Sequence, residues 1–144
     1  MFVVDTNILI YAANTDAVEH RRCRELVEGW RASRTPWYTT WAILYEFLRV
    51  ITHPRVLPRP LSADDALGFI EALLASPMAG VLVASRRHAQ IARELIDEVP
   101  GLSGNLMHDF HTAVLMREHG VTRVYTRDAD FHRFRFLEVI DPLA

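Results

Sequence analysis

No lysine occurs among the 144 residues; all 16 basic side chains are arginine. Chemistry that needs an amine is therefore closed to this chain, including a Schiff base and the phosphate-cradling loop G-x-x-x-x-G-K-[ST]. The same absence excludes a haloacid-dehalogenase-like phosphatase, which an early strand ending in Asp would otherwise suggest. Cysteine is nearly as scarce. Cys23 is alone and cannot form an internal disulfide, and with Leu26, Val27 and Trp30 it follows helical i, i+3, i+4, i+7 spacing, which predicts a core position and not a nucleophile. No apolar run approaches the roughly 18 residues of a membrane span, and the N-terminus has neither a basic region nor a small-residue cleavage site. A cytoplasmic protein is expected, without membrane contact. A net charge of −2 offers no global attraction for nucleic acid, so any contact with phosphate has to be local.

What is present fits one folded unit: half the residues are hydrophobic and 24% are charged, with no repeat, low-complexity tract or linker. Short β-rich runs alternate with helical stretches. Strands are predicted at Phe2 to Val4, Trp37 to Thr39, Val81 to Val83, Val121 to Tyr125 and Glu138 to Ile140. Helices are predicted over 6–13, 17–33, from the N-cap Thr40 to about Thr52, from the N-cap Ser62 through Ala75, over 86–98, and over 106–119 with Gly120 as the stop. This alternation predicts an α/β fold with a central, mostly parallel sheet flanked by helices. Sites in such sheets form at the carboxyl ends of the strands. Asp5 stands there in FVVD, and Thr126 and Asp128 stand there after RVY.

Two further carboxylates occupy helices. Glu46 shares a helical face with Ala42, Ile43 and Val50, and Asp109 aligns with Thr112, Ala113 and Met116. An acid on an apolar face is costly unless paired, protonated or bound to metal. Each residue also has a structural reading: Asp5 as a helix cap, Glu46 as the partner of Arg49, Asp109 as a helix N-terminal acid, Asp128 as part of the turn TRDAD. Taken together, Asp5, Glu46, Asp109 and Asp128 come from separate elements with no matching set of bases. Carboxylates so gathered repel one another unless a hard divalent cation joins them. Mg²⁺ or Mn²⁺ holding a phosphate oxygen and activating water is the chemistry implied.

The motifs VVDTNILIYA, YEFLRV, HDFHTAVLMREHG and VYTRDADFHRF stand in one order along nearly the whole chain, and in that order the sequence resembles a PIN-domain ribonuclease of the VapC type, the toxin of bacterial VapBC toxin–antitoxin pairs. The resemblance implies a single PIN domain over residues 1–144 and a Mg²⁺-dependent endoribonuclease (Mn²⁺ being the alternative ion). It makes Asp5 and Asp109 the principal metal ligands, with Glu46 and Asp128 completing the acidic pocket. It gives Asp130 a secondary place in the same signature. Thr6 and Asn7 would steady Asp5, and Thr126 would orient water or phosphate. It also implies a homodimer, an RNA substrate, and a VapB-type antitoxin that carries the DNA-binding part.

Other readings share these residues. His108-Asp109 spells the HD of all-helical metal phosphohydrolases, which the strands FVVD and VTRVYT oppose. His108 and His111, at i, i+3, could hold zinc; the reading preferred here has one meet RNA or its partner and the other serve structure. His20, His53, His88, His119 and His132 form no cluster in sequence. A PIN scaffold used only for binding, with catalysis lost, is the remaining alternative, and the four intact acids argue against it. Arg49 and Arg127 adjoin two of the acids and are the RNA-contact candidates. The aromatic run PWYTTWAILYEF, with Trp41 and Tyr45 at i, i+4, invites base stacking, but core packing or an interface is the expected use.

Overall fold

The computed structural model describes residues 1–144. Phe2–Val4 (β1) is buried at all three positions, as a strand covered on both faces of a parallel sheet must be. Trp37–Thr40 (β2) pairs with one edge of β1 and carries Ala79–Leu82 (β3) beyond it. Arg123–Tyr125 (β4) pairs with the other edge and carries Glu138–Ile140 (β5). All pairings are parallel, in the order β3-β2-β1-β4-β5. The helices are Thr6–Ala13 (α1), His20–Ala32 (α2), Trp41–Ile51 (α3), Ala63–Leu74 (α4), His88–Glu98 (α5) and Leu106–Glu118 (α6), followed by a 3₁₀ turn at Ala129–Arg133. α1 packs on α2 and α3, α3 on α4, and α5 on α6. One continuous core joins them through residues such as Val3, Cys23, Phe47, Ile70, Leu95 and Met116. No helix is long and apolar enough to cross a membrane.

The strand order positions the site. The chain travels outward from β1 to β2 and β3, then returns to lay β4 on the opposite side of β1. The order in which strands are added reverses between β1 and β4, and a crevice opens beyond their carboxyl ends. Asp5 leaves β1 at that point, and its N–H donates to the Tyr125 carbonyl at 3.0 Å.

Most boundaries follow the sequence reading, and the exceptions have local causes. α2 starts at His20 and not at 17, because the Asn14 side-chain oxygen accepts the Asp16 N–H at 3.1 Å and holds an Asx turn first. β3 lies at Ala79–Leu82 and not at 81–83, since those four residues face the four of β2. α5 begins at His88, after the Ser85 hydroxyl has accepted the Arg87 N–H. β4 starts two residues late because the Val121 N–H still bonds to the Met116 carbonyl, closing α6 around Gly120 at φ +66°. The caps Thr40 and Ser62 each accept an N–H three residues on, from Ile43 and Asp65.

One glycine is required by contact. Gly80 pairs with Tyr38 across β2 and β3, and a Cβ at residue 80 would stand 2.9 Å from Tyr38 Cδ1 and 3.0 Å from Cε1. Gly80→Ala is therefore expected to destabilise the protein by about 1–3 kcal/mol, the range for overpacking, where an unobstructed Gly→Ala change would be neutral or favourable. Urea denaturation of the two proteins measures it; equal midpoints would show that the ring moves aside freely.

Candidate active site

Asp5 serves the fold and the crevice together. One carboxylate oxygen, Oδ1, accepts the Thr6 N–H at 2.7 Å and so caps α1. The other, Oδ2, accepts the Asn7 side-chain amide at 3.0 Å and the Thr126 hydroxyl at 2.6 Å. Asn7 also donates to the Thr126 hydroxyl oxygen, and its own oxygen accepts the Arg127 N–H at 3.2 Å. The ends of β1 and β4 are thereby tied through side chains as well as through the sheet. Burial raises the Asp5 pKa, the Asp128 charge adds to the rise, and the hydrogen bonds from Thr126, Thr6 and Asn7 offset only part of it.

Thr126 departs from its expected role. It is fully buried, its hydroxyl donates to Asp5, and its oxygen accepts the Asp128 N–H at 2.9 Å. It shapes the carboxylates and faces no solvent that water or phosphate could occupy. Thr6 steadies Asp5 through its backbone, while its hydroxyl reaches the Ile43 carbonyl at 3.4 Å.

Above Asp5, α6 brings Asp109 from its first turn, and the loop after β4 brings Asp128 and Asp130. Asp109, Asp128 and Asp130 each place a carboxylate oxygen within 4.8 Å of the others. Asp128 Oδ1 also accepts the Asp130 N–H at 2.9 Å, capping the 3₁₀ turn that the sequence reading did not foresee. The Asp109 carboxyl is pushed up to about 7, chiefly by burial and then by the charges of Asp128, Asp5 and Asp130. No arginine or histidine forms an ion pair with Asp5, Asp109 or Asp128; the nearby arginines are engaged elsewhere, with only Arg133 reaching Asp130, at 3.5 Å. All the donors are hard oxygens, without thiol or imidazole among them. That donor chemistry fits Mg²⁺ or Mn²⁺ better than zinc.

Glu46 stands apart from this cluster. It lines the same groove, but Arg49 clasps it through two hydrogen bonds of 2.9 and 2.6 Å. Those bonds, ahead of the Arg49 and His108 charges, hold its pKa below the usual glutamate value. Of the two readings of Glu46, the structure shows the pairing with Arg49: Glu46 is a half-exposed member of an ion pair. The expectation for Arg127 is corrected. Its guanidinium turns to Glu19 at 3.1 Å and Asp141 at 3.7 Å and does not line the groove. Arg49 does line it, together with Tyr45, His108 and Thr112, around a volume of about 720 Å³.

A family model for the PIN domain matches residues 2–137. Ribonuclease VapC33 of Mycobacterium tuberculosis is 34% identical over 143 residues, covering 99% of each chain. The chain belongs to the VapC branch of the PIN-domain family. Among solved structures, this PIN domain resembles Mycobacterium tuberculosis VapC20, a sarcin-ricin-loop-cleaving toxin, with a TM-score of 0.65 at 19% identity over 92% of this chain and 93% of that one. It resembles VapBC2 of Rickettsia felis, solved bound to a promoter DNA fragment, with a TM-score of 0.65 at 16% identity over 96% of each. At those identities the structures show the fold.

The PIN domain also separates the two histidines of HDFH. His108 lines the groove, whereas His111 turns toward α5 and packs edge-on against His88, ring centroids 5.8 Å apart. His88 Nδ1 lies 2.6 Å from Glu118, whose fully buried carboxylate also accepts the Ser85 N–H and hydroxyl. His88 was expected to be isolated; it belongs to a polar clasp between α5 and α6. Its residues lie 30 apart in the chain, so spacing gave no sign of it. Tyr45 is the groove residue that the sequence reading assigned elsewhere, since periodicity cannot tell an outward aromatic pair from an inward one.

Proposed function

We propose that this PIN domain is a divalent-metal-dependent endoribonuclease and the toxin of a VapBC-type pair. The observation that carries the reading is the gathering of Asp109, Asp128 and Asp130 within 4.8 Å above the buried Asp5, with no cation paired to Asp5, Asp109 or Asp128. The VapC ribonucleases it matches over its whole length point the same way. Asp5 and Asp109 would hold the ion, with Asp128 beside them and Glu46 at the edge of the groove. Bound there, Mg²⁺ or Mn²⁺ supplies Lewis acidity toward a phosphate oxygen and toward water.

The chain's own residues do the rest. Asp5 is fixed by three hydrogen bonds and cannot swing away as charge arrives. Asp109, raised to about 7 in the metal-free protein by burial and its acidic neighbours, would give up its proton to take the ion. Arg49 offers the groove positive charge, and His108 a ring able to donate to phosphate. In the hydrolysis proposed, a water oxygen bonds to phosphorus, the bond to the 3′-oxygen breaks, and that oxygen leaves with a proton. The products are a 5′-phosphate and a 3′-hydroxyl. An antitoxin of the VapB type would cover the groove and supply DNA binding, and the toxin would form a homodimer.

Sequencing the RNA ends left by the protein in Mg²⁺ tests the chemistry. A 2′-deoxy substitution immediately 5′ of the cut should leave the bond cleavable; protection by that single change, or a cyclic phosphate end, would assign the attack to the 2′-hydroxyl. The cluster also ranks its members. Asp128 lines the groove while Asp130 lies outside the lining with Arg133 beside it. Asp130→Asn should reduce cleavage within roughly tenfold, about 1.4 kcal/mol of barrier, and Asp128→Asn by considerably more. The reverse order in initial rates would move Asp130 into the central set.

A further inference from the structure

We infer that Tyr45, backed by Trp41, is a stacking platform for an unpaired nucleobase of the RNA beside the bond to be cut. This deepens the ribonuclease reading and rests on it. α3 carries Trp41, Tyr45 and Arg49 at i, i+4 and i+8, so the three form one ridge along the helix. Trp41 is 49% and Tyr45 68% exposed, with ring centroids 6.4 Å apart. Large aromatic faces left to water on a folded surface mark a binding surface.

The position of Tyr45 selects the ligand. It lines the same groove as Asp5, Asp109 and Asp128, next to Glu46 and one turn before Arg49. A phosphodiester seated at the carboxylates therefore has a π-face and a guanidinium on the neighbouring wall. The groove's acids repel the RNA backbone, which leaves base stacking as attraction that does not depend on charge. Every base has a face to stack, so the platform tolerates sequence, but a base inside a duplex already has both faces covered. The substrate class is thus a single-stranded loop or end.

The test uses the full chain carrying Asp5→Asn, which stops cleavage and allows Mg²⁺ throughout, with fluorescence anisotropy of a labelled single-stranded RNA. Adding Tyr45→Ala or Tyr45→Leu should weaken binding roughly 5- to 160-fold, the measured span for losing one stacked base. Tyr45→Phe, which keeps the ring, should bind within about twofold of the parent, far inside the effect of losing a stacked base. The Leu variant keeps apolar bulk, so its agreement with Ala would place the effect in the ring and not in folding. Unchanged binding in both Ala and Leu variants, or equal Tyr45-dependence with a fully paired duplex, overturns the platform. A shift from dimer to monomer in the Ala variant by light scattering also overturns it and makes the ridge an interface between copies. Wild-type protein that leaves RNA intact in Mg²⁺, while Asp5→Asn protein binds in a Tyr45-dependent way, overturns the nuclease reading and keeps the platform.

Discussion

Asp5→Asn and Asp109→Asn should each lower RNA cleavage by at least two to three orders of magnitude, the scale of removing one charged group that acts on a developing charge. The two changes test different parts of one site. Asn at residue 5 still offers an oxygen to the Thr6 N–H, because Asn and Asp are comparable caps, so α1 should survive. Its amide cannot accept from both Asn7 and Thr126 as Oδ2 does, and some rearrangement of that pair is expected. Asp109→Asn removes a half-buried acid from beside three others and leaves no cap behind. Single-turnover cleavage with excess protein, alongside circular dichroism, separates chemistry from folding. Either variant cutting at the wild-type rate while folded would remove that residue from the catalytic set.

The second large effect is linked to pH. The Asp109 carboxyl in the folded, metal-free protein sits at about 7, above its ordinary 3.8, and Asp5 is displaced in the same direction. An acid raised by folding stabilises the native state while protonated, and that contribution is lost as pH rises through the folded value. His111 acts oppositely: burial, then the His88 charge, lowers its pKa from 6.5, so its contribution still grows through that pH and is complete only about one unit above it. The lowered carboxylates of Glu46, Glu98 and Glu118 reach full effect above about 4.5. Between pH 6.5 and 8.5 the Asp109 ionisation is opposed at the acid end by the remainder of the His111 effect and joined at the alkaline end by Cys23, whose thiol is pushed up to about 11 by burial. The Asp109 part is therefore the difference between the wild-type and Asp109→Asn profiles. In chelator, Tm should fall across that interval. Mg²⁺ should raise Tm most at the alkaline end, because the ion competes with the proton. At ten times Kd the gain is about 1.4 kcal/mol, or roughly 3–6 °C for a chain of this size. Asp109→Asn should flatten the chelator profile and shrink the metal effect. A wild-type Tm that is level over the interval and indifferent to Mg²⁺ would show that the acids bind no ion.

The sheet was legible because its strands are short apolar runs ending in polar residues at intervals that helices fill. FVV read as a strand with Asp5 at its end, and its central place in the sheet comes from the strand order. Asp128 stood out for the same reason, as an acid following a strand, and Asp109 because it shares a helical face with Thr112, Ala113 and Met116. Glu46 had two readings, one of the acidic set and partner of Arg49, and spacing could not choose its state, since whether Arg49 folds back at i+3 or reaches outward is a rotamer choice. The Asp128 cap, the burial of the Thr126 hydroxyl and the turn of Arg127 toward Glu19 and Asp141 depend on side-chain directions that spacing leaves open. The His88–Glu118 clasp depends on the docking of two helices, and nothing in either segment alone announces it.

The bond from Thr126 to Asp5 spans 121 residues. During synthesis, the first acid of the proposed site is made well before Thr126, so it lacks its fixing partner until those 121 residues have been added. The central strand likewise waits for β4 to fill its second edge, so until then it has a neighbour on at most one side. At some 5–20 residues per second, several seconds separate the two events. A nascent copy of this protein thus carries its acids unassembled while the ribosome making it is still at work, and the arrangement that would cut RNA comes together only after β4 and Thr126 have been made.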